Sequence, residues 1–161
     1  MLKKGDKVIY SSNGVCTVMD IENKCFAGSD DTYYVLETQN SRQLIYVPVS
    51  NDILTSKIRP VMTHGEAMDF IKEMRSITPA EWILESRKRN EYFKKILCEG
   101  ERREVWGIVK CLSDKQKEMH ENGKKLYISD ETVYRRAEKM IYDELACALK
   151  TDYDGLKNLL E

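Results

Sequence analysis

The chain has 161 residues, 33% of them charged and 42% hydrophobic, with 26 Lys and Arg against 27 Asp and Glu. That length holds one medium domain or two small ones, with a modest core under a highly charged surface. The absent basic excess argues against a free-standing nucleic-acid binder, which needs one to release counterions, and no apolar run is long enough to span a bilayer.

The N-terminus, MLKKGDKVIY, leads into a strand pattern without a signal-peptide core, so a cytoplasmic location is expected. DKVIYSS alternates, with Val8 and Tyr10 on one side and Lys7 and Ile9 on the other. Ser12 to Gly14 is a tight-turn signal, and VCTVMDI is expected to place Val15, Thr17, Met19 and Ile21 on one face. Ala27 to Asp31 reads as a loop. TYYVLET, rich in aromatic and β-branched residues, suits a central strand. After a turn at Asn40 to Arg42, QLIYVPV is a fourth strand that ends or lies at an edge at Pro48, and KIRPV adds a short fifth. Strands joined by tight turns with no helix between them predict a small antiparallel barrel of Tudor or SH3 type over residues 1–61.

From Met62 the period changes. HGEAMDFIKEMRS places Ala67, Phe70, Ile71 and Met74 at helical spacing. TPAE is a helix-start signature, with Thr78 as N-cap, Pro79 at the first helical position and Glu81 closing a capping box. That helix is expected to run to about Cys98, with Gly100 as its C-terminal cap. A further helix covers Glu101 to Glu121 on a Val105, Ile108, Val109 and Leu112 stripe, and Gly123 ends it. ETVYRRAEKMIYDELACALK is the last main helix, and TDYDGLKNLLE is a short terminal one. The fold class is therefore α+β: a Tudor/SH3-like β-barrel followed by an all-α helical-bundle domain over residues 62–161.

Chemistry-bearing constellations are absent. The five cysteines show no C-x-x-C spacing, and His64 and His120 lie far apart, so neither a disulfide framework nor a metal site is expected. No phosphate-binding glycine loop or nucleophile motif occurs, so a non-enzymatic protein without a cofactor is expected. Both halves are electrically balanced: seven basic and seven acidic side chains precede residue 62, and nineteen and twenty follow it. The local exception lies after Trp82, where Arg87, Lys88 and Arg89 form a basic run. This is either a solvated helix face beside a core tryptophan or a phosphate-contacting patch. On a continuous helix Trp82 shares an arc with Phe93, Ile96 and Leu97, with Arg87 and Lys88 roughly opposite. Ser86, Arg89 and Asn90 make the first two turns of that arc poor in apolar residues.

KKGDKVIYSSNGVCTVMDIE, YYVLE and IYVPVSN resemble the N-terminal module of the CarD/CdnL transcription regulators, a module shared with the transcription-repair coupling factor. ILCEGERREVWGIVKCL and AEKMIYDELACAL resemble the same family's helical half. The resemblance implies a transcription regulator whose Tudor-like module docks by a strand edge on the β subunit of bacterial RNA polymerase. It implies that the helical domain contacts promoter DNA at the upstream edge of the melting region, weakly and in the minor groove, modulating open-complex stability. No membrane or small-molecule substrate is expected as partner. By position, polymerase contact falls on Lys24 and on the strand carrying Leu44, Ile45, Tyr46 and Val47, with Tyr46 where some members have arginine. DNA contact falls on Trp82, Arg87, Lys88 and Arg89. The family's wedge tryptophan corresponds to Ser86, so Trp82 is expected one helical turn upstream on nearly the same side. The alternative is an adaptor that binds protein through its β module and does not touch DNA.

Overall fold

The alternating segments of the first sixty residues pair into a single antiparallel sheet. Its strands are β1 (Lys7–Tyr10), β2 (Val15–Phe26), β3 (Ser29–Thr38), β4 (Leu44–Pro48) and β5 (Ile58–Pro60), in the order β4-β3-β2-β1-β5. The computed structural model describes residues 1–161, and the chain divides into two units, Met1–Met62 and Thr63–Glu161. In the first unit the sheet wraps one core of Val8, Tyr10, Cys16, Val18, Tyr34, Leu36 and Val47. Between β4 and β5 sits a one-turn helix, α1 (Asp52–Thr55), where the sequence predicts none; the Asn51 side chain accepts from the Leu54 N–H and starts it.

Two features of this sheet differ from expectation. The supposed loop at Ala27 to Asp31 is a two-residue turn, because β2 and β3 stay paired until Phe26 faces Ser29. Ala27 and Gly28 both hold positive φ, 52° and 79°, which is the requirement of the hairpin turn whose twist suits its strands. The second difference is parity. Cys16 and Val18 point into the core, whereas Met19 is 38% exposed; Ile21, 37% exposed, pairs with the core residue Tyr34. The register slips between Val18 and Asp20, so Met19 is the extra residue of a β-bulge. A one-residue slip exchanges the faces of everything beyond it. Upstream of the bulge the even-numbered residues of β2 face the core. Downstream, Glu22 pairs with Tyr33 and Lys24 with Asp31, on the outer face.

The second unit is helical: α2 (His64–Glu73), α3 (Ser86–Glu99), α4 (Arg102–Glu121), α5 (Ile128–Leu149) and α6 (Tyr153–Leu160). α2 opens with a complete capping box between Thr63 and Glu66. The core joins Phe93 and Leu97 of α3, Ile108 and Leu112 of α4, and Ala137, Ile141 and Leu145 of α5. No helix is long and apolar enough to cross a membrane.

α3 begins at Ser86, seven residues later than the TPAE signature predicts. Tertiary contacts with α4 outweigh local propensity here. The Trp106 Nε1 donates to the Met74 carbonyl at 3.1 Å, and Lys110 Nζ donates to the carbonyls of Arg75 and Ile77 at 2.8 and 2.5 Å. The Ala80 N–H donates to the Gly107 carbonyl at 2.9 Å. One face of α4 thus holds the main chain of residues 74–80, a turn through Ser76 that continues into a non-helical segment. Close approach requires Gly107, since a Cβ there would lie 3.1 Å from the Thr78 carbonyl oxygen and 3.4 Å from the Ala80 nitrogen. Gly107→Val is expected to destabilise the second unit by about 1–3 kcal/mol through overpacking. The checks are urea unfolding and faster hydrogen exchange at the Ala80 amide.

Candidate functional site

β4 is an edge strand, and its hydrogen-bond phase decides what it offers. The Thr38 N–H donates to the Gln43 carbonyl at 2.9 Å, and the Val49 N–H donates to the Thr32 carbonyl at 2.8 Å. Antiparallel bonding alternates, so residues 43, 45, 47 and 49 turn their main chain toward β3. Leu44 and Tyr46 therefore turn their N–H and C=O groups outward along the free edge, and Pro48, lacking an N–H, ends the row.

Side chains follow the same division. Leu44, 48% exposed, and Tyr46 lie on the outer face. Ile45 packs against the core and Val47 is fully buried within it. Of the four β4 residues named from the sequence, only Leu44 and Tyr46 can present side chains to a partner; Ile45 and Val47 are a correction, because the pleat turns them inward.

The bulge at Met19 brings β2 residues to the same surface. Lys24 Nζ lies 2.9 Å from Glu22 Oε2 and 3.2 Å from Tyr46 Oη, with its ammonium 4.4 Å from the Tyr46 ring centre. The bond to Glu22, and then that to Tyr46, holds the Lys24 ammonium above the ordinary lysine range. Phe26 packs edge-on to Tyr33 at 5.1 Å and to Tyr46 at 5.8 Å. One cation and three aromatic rings thus stand beside an unpaired strand edge.

In the second unit, the stretch before α3 forms a tip. Trp82 is half-buried and lies outside any helix. Its ring is stacked on the Arg89 guanidinium, 3.9 Å from ring centre to Cζ, with Lys115 Nζ at 5.2 Å. Trp82 packs neither as the expected core residue beside Phe93 nor as a bare wedge, and the helical-phase argument lapses because residues 82–85 are not helical. Arg89 is 1% exposed. Its Nε and Nη2 donate to Asp130 at 2.9 and 2.6 Å, and its Nη1 donates to the carbonyls of Ile83 and Leu84 at 2.7 and 3.3 Å. Arg89 is therefore corrected from a phosphate ligand to the residue that fastens the tip to the first turn of α5. Arg87 and Lys88 are exposed, paired with Glu91 at 3.3 Å and Glu85 at 2.9 Å. Leu84 stands 88% exposed between Trp82 and this basic pair.

Residues 2–62 match the model of the CarD-like/TRCF RID domain. The N-terminal unit belongs to the CarD-like/TRCF RID family. Over 145 residues, 90% of either chain, the sequence is 28% identical to the "Putative transcription factor YdeB" of Bacillus subtilis (strain 168). That likeness extends beyond the RID domain into the helical unit.

Within the RID domain, sequence reasoning missed Phe26 and Tyr33. Their signal was the alternation of Glu22, Lys24 and Phe26, readable only once the bulge sets the parity. Leu84 was missed because an apolar residue next to a tryptophan reads as core while the helix is taken as continuous.

Proposed function

We propose that the chain is a non-enzymatic transcription regulator: the RID domain docks on the β subunit of RNA polymerase, and the helical unit contacts promoter DNA near the upstream edge of the bubble. The observation that carries the reading is an RID-type sheet with an open β4 edge beside the Lys24, Phe26, Tyr33 and Tyr46 cluster. A partner strand pairing with Leu44 and Tyr46 gains main-chain hydrogen bonds, while the aromatic cluster supplies desolvated contact area. The name carried by the Bacillus subtilis relative supports the same class of role.

Electrical neutrality fits this division of labour. Docking supplies effective concentration, so intrinsic DNA affinity can be small. Leu84, Trp82, Arg87 and Lys88 would form the DNA-facing tip, with Leu84 the side chain free to enter a minor groove and the basic pair held for phosphates. An apolar side chain inserted between base steps favours distorted duplex, and it shifts the equilibrium only by its preference for that state. Open-complex lifetime on a fluorescent promoter measures this. Leu84→Ala and Trp82→Ala should each shift the lifetime effect of the wild-type chain toward that of polymerase alone, by roughly five- to thirtyfold if each contact is worth about 1–2 kcal/mol. A second reading, an adaptor without DNA contact, is favoured by the burial of Arg89 and the carboxylate partners of Arg87 and Lys88. Polymerase binding with a lifetime effect unchanged in both tip variants would select it.

A further inference from the structure

A set of unpaired lysines lies outside the tip's basic run, at the C-terminal end of α4. Elsewhere in the helical unit Arg87, Lys88, Arg103, Lys115 and Arg135 each have a carboxylate partner. Lys117, His120, Lys124 and Lys125 line one concavity of about 490 Å³ with Gln116, Leu126 and Glu131. Neither the three lysines nor His120 forms a side-chain ion pair or hydrogen bond. Glu131, the single carboxylate of the lining, is engaged by Arg135 at 2.5 Å.

The turn that brings these groups together is rigid. The Lys124 N–H donates to the Met119 carbonyl at 2.7 Å and the Gly123 N–H to the His120 carbonyl at 3.0 Å, with Gly123 at φ 68°. This is a Schellman closure of α4, which needs glycine at the left-handed position. It folds Lys124 and Lys125 back against the turn that carries Lys117 and His120. The negative end of the α4 dipole offsets part of the mutual repulsion. Leu126, only 8% exposed, anchors the far side of the loop.

We propose that this concavity binds the polyphosphate group of a free phosphorylated small molecule of the nucleoside polyphosphate class. Several cations converging on one small hollow suit consecutive phosphates, whose charges are packed more densely than those along one DNA strand. A duplex instead presents its phosphates on a convex surface. Because the turn is already fixed, little ordering cost opposes binding. The site shares no residue with the tip or with β4, and the proposal stands without the polymerase reading.

The experiment is calorimetric titration of the full chain with inorganic tripolyphosphate at fixed ionic strength, in parallel with a short duplex DNA. Saturable one-site tripolyphosphate binding is expected. It should weaken at least tenfold in the triple variant Lys117→Ala, Lys124→Ala, Lys125→Ala, and less than twofold in Lys94→Ala, Lys95→Ala, whose lysines lie exposed on α3. Absence of saturable binding, equal affinity in the triple variant, or an equal loss in the α3 pair would overturn the proposal. Duplex binding that falls in the triple variant while tripolyphosphate does not bind would also overturn it, and would give the surface to DNA.

Discussion

Arg89→Ala will cost the helical unit about 3–5 kcal/mol, the cost of leaving one charge of a buried ion pair uncompensated. Both partners are 1% exposed, so the loss is not screened by solvent. Asp130→Ala should cost a similar amount, and the double exchange Arg89→Met, Asp130→Leu much less, because it removes both charges and keeps volume. Tryptophan fluorescence in a urea titration reads this cleanly, since Trp82 and Trp106 both lie in the helical unit. Arg89 also holds the carbonyls of Ile83 and Leu84 and stacks on Trp82, so its loss should free the tip even where the helices survive. Faster quenching of Trp82 below the unfolding transition would report that release. A loss under about 1 kcal/mol would show that the pair is not what fastens the tip.

Lys24→Glu should weaken retention on the immobilised polymerase β subunit by at least tenfold. It reverses the charge in the middle of the aromatic cluster and sets a second carboxylate beside Glu22. A subtler pair of variants probes the edge itself. Leu44→Pro removes an N–H that points away from β3, so the sheet should persist while docking loses a main-chain bond. That loss is about 0.5–1.5 kcal/mol net, roughly two- to tenfold. Ile45→Pro removes an N–H that bonds β3 and should unfold the domain. Lys24→Glu and Leu44→Pro proteins that are folded and bind like wild type would sink the docking assignment.

Much of this fold was legible because the local signals agree with one another. The strands, the turn at Ser12 to Gly14, the terminating role of Pro48 and the helical stripes of α4 and α5 all follow from period and punctuation. What escaped notice depended on tertiary contacts. Nothing in TPAE reveals that α4 will take hold of the same main chain, a result of Trp106, Gly107 and Lys110 lying some thirty residues downstream. Arg89 reads as surface within its basic run and becomes interior only through Asp130, on another helix. β4 was legible as a strand, yet which of its residues face outward required the bond phase.

The spare residue at Met19 works as a frame shift for the strand. Because it lies upstream of Glu22, Lys24 and Phe26, the composition of the proposed docking face is set by how many residues separate Val18 from Asp20, as well as by which residues follow. A relative with one residue fewer there would carry the same letters and display the opposite set. Sequence identity at Lys24 therefore implies a shared surface only between chains whose spacing in this short interval is also the same.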